Sequence, residues 1–112
     1  MSTQKLRVIQ DYEKLSPEIQ EQIKLVYPQG YSQHLIRFTN AKGEYVSALP
    51  FETFEKIYMV RMSSEKASRL IEEDDDYDVD GNLREDVREQ YEDEHSDVEY
   101  LGENDNYEEE ED

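Results

Sequence analysis

Hydrophobic residues recur with two different periods along the first seventy positions, and the change of period predicts the elements. Lys5 to Gln10 alternates, with Leu6 and Val8 on one face and Arg7 on the other, and its β-branched content suits a strand. Ser16-Pro17-Glu18 then reads as a helix start. It offers a hydroxyl acceptor for free N–H groups, a proline whose missing N–H costs nothing in the first turn, and an acid at the positive dipole end. Ile19, Ile23 and Val26 follow at i, i+4 and i+7 as a buried stripe, and Pro28 with Gly30 stops the helix near Tyr27. From His34 onward the period falls to two. His34 to Thr39 puts Ile36 and Phe38 together, Asn40-Ala41-Lys42-Gly43 turns the chain, and Glu44 to Leu49 returns as a second arm that Pro50 ends. Lys56 to Met62 is a third run, and Ser63 or Ser64 caps a last helix carrying Ala67, Leu70 and Ile71 on one side. The order β-α-β-β-β-α predicts an α+β fold, a small two-layer domain over residues 1–71 whose antiparallel meander sheet has helices on one face. The pairing position of the first strand stays open.

The pattern changes again at Glu72. From Ile71 to Asp112 there are 22 acidic residues against Arg84 and Arg88, whereas residues 1–70 hold eight acids and ten bases. The formal charge of −18 therefore belongs to an acidic tail, residues 72–112, and a block of like charge on that scale reads as an interaction segment. Leu83, Val87 and Tyr91 at i, i+4 and i+8 predict a helix over 83–94 inside it, with Glu85 and Arg88 or Arg84 and Glu92 as candidate pairs. Beyond about residue 96 the periodicity lapses, and the expectation is disorder.

The totals narrow the classes. With 112 residues there is room for one domain, and a head of about 70 is small enough to be marginally stable. The chain has no cysteine, which removes disulfides, thiolate nucleophiles and Cys-ligated zinc. No apolar run reaches the roughly 18 residues of a membrane span, and Met1 to Lys5 lacks the apolar stretch of a signal peptide, so the expected compartment is the cytoplasm. Charge of this sign repels nucleic acid and anionic lipid while attracting basic proteins and cations.

Several runs in the head carry a likeness. Asp11-Tyr12-x-Lys14-Leu15-x-Pro17-Glu18, Tyr27-Pro28-x-Gly30-Tyr31, Ile36-x-Phe38-x-Asn40-Ala41 and Tyr58-x-Val60 ahead of an acidic tail resemble a group of short bacterial proteins of unassigned role, some labelled "DNA primase". The resemblance covers roughly residues 5–62 and implies a cytoplasmic bacterial protein close to nucleic-acid machinery. The primase label does not carry over. Template copying needs clustered metal-binding carboxylates and a basic groove, and the head offers scattered acids and nearly balanced charge.

Reaction chemistry is sparse. His34 is expected to open a strand and His95 to sit solvated in the acidic tail, and there is no Gly-rich phosphate loop, Gly-x-Ser-x-Gly turn or His-Glu-x-x-His helix, so no enzymatic activity is expected. One run has cation-binding spacing. Asp76, Asp78 and Asp80, with Gly81 next and an apolar residue at Leu83, match the opening of a calcium-binding EF-hand loop. The twelfth position, which should supply a two-oxygen glutamate, is Val87. The plain alternative is a turn at Asp80-Gly81 between two helices.

The reading that follows is a non-enzymatic accessory protein. The head docks on a partner and the tail occupies a basic surface of it, RNA polymerase or another transcription or replication assembly being the most economical candidate. Tyr31, Tyr45, Phe51, Phe54 and Tyr58 in the head, and Leu83, Val87 and Tyr91 in the tail, are the candidate docking residues. A calcium-binding helix-loop-helix protein and an acidic chaperone for basic proteins are the alternatives. As a nucleic-acid mimic the tail is dilute. Extended at about 3.4 Å per residue it carries roughly one charge per 7 Å, and as a helix about one per 3 Å, against one per about 1.7 Å for duplex DNA.

Overall fold

The computed structural model describes residues 5–98. A four-stranded sheet is built from β1 (Leu6–Asp11), β2 (Ile36–Thr39), β3 (Tyr45–Glu52) and β4 (Lys56–Arg61), with helices α1 (Pro17–Val26), α2 (Ser64–Glu72) and α3 (Glu85–Glu94). These make a small α+β domain. The caps form as the residue types dictate: the Ser16 Oγ accepts from the Ile19 N–H, and the Ser63 Oγ accepts from the Lys66 N–H.

The strand order is β1-β4-β3-β2, and the sheet is mixed. β2, β3 and β4 form the expected antiparallel meander, but β1 joins at the edge in parallel with β4, Val8 lying beside Tyr58. The wholly antiparallel sheet is thus corrected. The chain passes through α1 and the β2–β3 hairpin before returning along β1, and a connection of that length permits parallel pairing.

Pro50 does not end the second arm. It lies inside β3, in register with Met59. The Met62 N–H bonds to the Ser47 carbonyl and the Thr53 N–H to the Lys56 carbonyl, so the odd-numbered residues of β3 address β4. Pro50 faces the other way, beyond Ala48, where the register of β2 stops, and its missing donor has no acceptor to disappoint. Its carbonyl on that side accepts the Tyr27 hydroxyl.

The main core lies on one face of the sheet, while Ala48 and Met59 are buried on the other. Leu49, Phe51, Val60 and Met62 meet Tyr12, Leu15, Ile23, Tyr31 and Ala67 in the core, with Ile19, Tyr27, Leu70 and Ile71 packed around them. The ring of Tyr31, 1% exposed, is the centre of an aromatic cluster whose neighbours are Tyr12, Tyr27 and Tyr77.

Candidate functional site

The acidic segment does not leave the fold at Glu72. It runs back along α1, held by contacts that begin with Lys24, whose position on α1 beside buried Ile23 turns its ammonium toward the returning chain. The Lys24 Nζ donates to Asp76 at 2.7 Å and lies 2.8 Å from the Asp74 carboxylate. Tyr91 on α3 donates its hydroxyl to the same Asp76 oxygen at 2.7 Å, and the Lys24 ammonium stands 5.9 Å above the Tyr91 ring. Burial alone would lower the Lys24 pKa, but the hydrogen bonds to Asp74 and Asp76 outweigh it and hold the ammonium above its ordinary value. Burial likewise pushes Asp76 upward, and the bonds from Lys24 and Tyr91 reverse that, leaving its carboxyl below the usual range. Burial together with the bond to Asp76 raises Tyr91.

Two apolar pins and a backbone bond accompany the ion pairs. Tyr77 and Leu83 are 4% and 7% exposed and face each other as an isolated antiparallel bridge. The Tyr77 hydroxyl donates to the Tyr27 carbonyl, and the Leu83 N–H donates to the Pro28 carbonyl at 2.7 Å. Leu83 therefore precedes α3 instead of opening it, and Arg84 is the N-cap. Arg84 donates to the Asp75 carbonyl, and the ion pair that forms on α3 is Arg88 with Glu92, not either of the two anticipated. At the far end of α3 the His95 imidazole, 9% exposed, places Nε2 2.8 Å from the Glu21 Oε1 of α1. His95 is thus enclosed between helices where solvation was expected. His34 lies in a single 3-10 turn (Ser32–His34) before β2, its ring 4.9 Å from that of Tyr27.

The aspartates with cation-loop spacing take separate duties. Asp76 is committed to Lys24 and Tyr91. Asp78 Oδ1 accepts from the backbone N–H groups of Asp80 and Asn82, and the Gly81 N–H returns to the Asp78 carbonyl, with Gly81 at φ +84°. That is a self-capped turn, the geometry Asp-x-x-Gly favours without any ion. A different trio, Glu21, Glu94 and His95, has ligand atoms within 4.8 Å of one another.

The anticipated docking residues divide by burial. Tyr31, Phe51 and Leu83 are enclosed within the fold, at 1%, 3% and 7% exposure. Tyr58, Val87 and Tyr91 are half-buried, Tyr58 beside Phe51 in the core and Tyr91 on Asp76. Tyr45 and Phe54 are 84% and 50% exposed. What sequence reasoning missed was the pairing of α1 with the acidic segment. Its one signal was Lys24, a charge directly following Ile23 in the chain.

The surface left by this arrangement is strongly anionic. Residues 72–98 hold fourteen acids against Arg84 and Arg88. Among the described residues only Asp74, Asp76 and Glu92 of those acids sit in ion pairs, and Glu85, Asp86, Glu89 and Asp93 are exposed on α3. The expectation of disorder beyond about residue 96 falls mainly on 99–112, outside the described residues. No helix among the described residues is long and apolar enough to cross a membrane. Comparison of the chain with protein-family models, with curated proteins and with solved structures returned no match.

Proposed function

We propose that this protein is a non-enzymatic accessory factor whose acidic segment occupies a basic, nucleic-acid-binding surface of a protein partner. The observation that carries the reading is the anchoring of that segment. The contacts of Lys24, Tyr77, Leu83 and His95 fix 74–95 against α1 while leaving most of its carboxylates facing water. A charge array held on a scaffold loses less entropy on binding than a loose chain does. Its density supports the same reading. The ten residues of α3 rise about 15 Å and carry six acids against Arg88, so one net charge falls per about 3 Å, close to the roughly 3.4 Å of a single DNA strand.

The partner proposed is a transcription or replication assembly, with RNA polymerase the most economical member. The likeness of residues 5–62 to short bacterial proteins belongs to this proposal, as does a cytoplasmic location. The test is capture from lysate at physiological ionic strength by the intact chain and by a variant with Glu85, Asp86, Glu89 and Asp93 changed to their amides. One dedicated partner, released by salt and lost in the amide variant, supports the reading. Equal capture of the same partner by both chains overturns it, and capture of many unrelated basic proteins favours the chaperone alternative.

A further inference from the structure

Three side chains at the seam between α1 and the end of α3 make a donor set that the Lys24 cluster does not involve. Glu21 lies within α1, Glu94 is the last residue of α3 and His95 is its C-cap, 74 positions from Glu21 in the chain. The His95 N–H closes the final turn on the Tyr91 carbonyl at 3.0 Å, which fixes where the imidazole leaves the helix. One ligand atom from each of the three residues falls within 4.8 Å of the other two. The imidazole is 9% exposed and its Nε2 meets a Glu21 oxygen at 2.8 Å, whereas the Glu94 carboxylate is exposed and accepts a long bond, 3.3 Å, from Gln90. Two carboxylates thus converge on one enclosed histidine. Among the described residues no lysine or arginine forms an ion pair with either of them.

We infer that Glu21, Glu94 and His95 bind a divalent transition cation of the zinc class, which fastens the end of α3 to α1. Donor chemistry selects the metal. One imidazole nitrogen with two carboxylate oxygens is a three-ligand set that zinc accepts, with water or another group in the fourth position. Calcium and magnesium take oxygen ligands and gain little from a histidine. A run of exposed acids alone draws cations without choosing among them; the enclosed nitrogen confers the choice. Spacing agrees with this. Bonds of about 2.0–2.1 Å put the ligand atoms of a tetrahedral site roughly 3.3 Å apart, so the Glu21–His95 pair opens by about 0.5 Å to admit the ion. Glu94, exposed at the end of a long side chain, closes on it by rotation about its own bonds. Ligation uses the Nε2 lone pair, so the imidazole then carries its hydrogen on Nδ1, and the hydrogen bond to Glu21 is exchanged for a bond from each residue to the ion. Charge adds a general attraction, because residues 72–98 hold fourteen acids against Arg84 and Arg88. The ion secures the far end of the acidic segment as Lys24 secures its start.

The experiment is calorimetric titration of the intact chain with Zn2+ in excess Mg2+, which occupies loosely attracting carboxylates, followed by titration with Co2+, whose visible bands report coordination. One equivalent of zinc per chain is expected, and nuclear magnetic resonance should show the His95 imidazole protons moving while those of His34 do not. Glu94→Gln, at an exposed position where circular dichroism should be unchanged, and His95→Gln should each weaken binding at least roughly tenfold, because changes one shell further from a metal already cost roughly 10–100-fold. Glu65→Gln removes the same charge from the exposed start of α2 and should leave binding as it is. Zinc should also raise the melting temperature of the parent chain and not that of Glu94→Gln. Displacement of zinc by Mg2+, equal affinity in Glu94→Gln and the parent, or an equal loss in Glu65→Gln overturns the inference. None of these outcomes bears on what the acidic surface binds, so the two proposals fail separately.

Discussion

Lys24 and Asp76 are 52 positions apart in the chain and 2.7 Å apart in the fold. That single ammonium also serves Asp74, and the Asp76 oxygen it touches is shared with the Tyr91 hydroxyl. Three separate stretches of chain, on α1, after α2 and on α3, thus converge on one charge. The Lys24 side chain is 11% exposed and its two partners 22% and 23%, so water screens the group only in part. An ion cluster in that setting is weak evidence for net stability, yet removing one member strands the others.

Lys24→Met keeps the length of the side chain and removes the charge that both aspartates face. It is expected to destabilise the protein by roughly 2–4 kcal/mol, below the full cost of breaking a completely buried pair because the aspartates retain some water. For a domain of this size that lowers the melting temperature by on the order of 10 °C or more. Thermal unfolding followed by circular dichroism checks it, and a change under 2 °C would show that the cluster does not hold the segment.

Acid should loosen the same contacts. Burial tends to raise Asp76, but its bonds to Lys24 and Tyr91 leave it below the ordinary 3.8, so its contribution is present above that value and is lost as pH falls through the lower folded pKa. Lys24 is shifted the other way, so its contribution is complete below 10.5 and lost only on the alkaline side. Between pH 5 and pH 3 stability should therefore fall. Denaturant unfolding at pH 3, 4 and 5 should show a shallower fall in Lys24→Met than in the parent chain, since the variant keeps only the Tyr91 bond to Asp76 there.

What could be read from the chain was local. Asn40-Ala41-Lys42-Gly43 closes because the Asn40 side chain accepts from the N–H groups of Lys42 and Glu44 and Gly43 takes φ +81°, all within five residues. The helix starts at Pro17 and Ser64 are legible for the same reason. What could not be read was long-range choice. Alternation in Leu6–Asp11 announces a strand but says nothing of the direction in which it pairs, and Pro50 signals an end only to a reader who does not know that β2 stops short of it. The acidic residues misled through their number: in a run so dense, nothing marks Asp74 and Asp76 as the two that turn inward.

The Tyr31 hydroxyl is a buried side-chain polar atom that faces the Tyr12 and Tyr77 hydroxyls without a well-formed hydrogen bond. Burial, the largest influence on it, and the neighbouring Tyr77 and Tyr12 hydroxyls all push its pKa upward, so it stays neutral. Tyr31→Phe deletes that unpaired group and keeps the ring that meets Tyr12, Tyr27 and Tyr77. Removing an unsatisfied buried polar atom is near neutral or stabilising, by about 0–2 kcal/mol. Equilibrium unfolding in urea should place the variant at or above the parent midpoint, and a loss above about 1 kcal/mol would mean that the hydroxyl is bonded after all.

Where the chain is cut should matter more than how much charge is removed. A cut after Val98 takes away residues 99–112 with eight acids and no base, and it leaves every contact described above intact. A cut after Ile71 removes Tyr77 and Leu83 from their buried sites and deprives Lys24 of both carboxylates. Each large side chain withdrawn from burial costs roughly 1.5–3 kcal/mol, and Lys24 is left half-enclosed without an anion. Against a typical total of about 5–15 kcal/mol, a head ending at Ile71 should be largely unfolded, whereas one ending at Val98 should melt within a few degrees of the intact chain. Parallel thermal unfolding of the two truncations decides between a head that stands alone and one completed by its acidic segment. A cooperative transition in the shorter chain, near the parent temperature, would show that residues 72–98 rest on the head without supporting it.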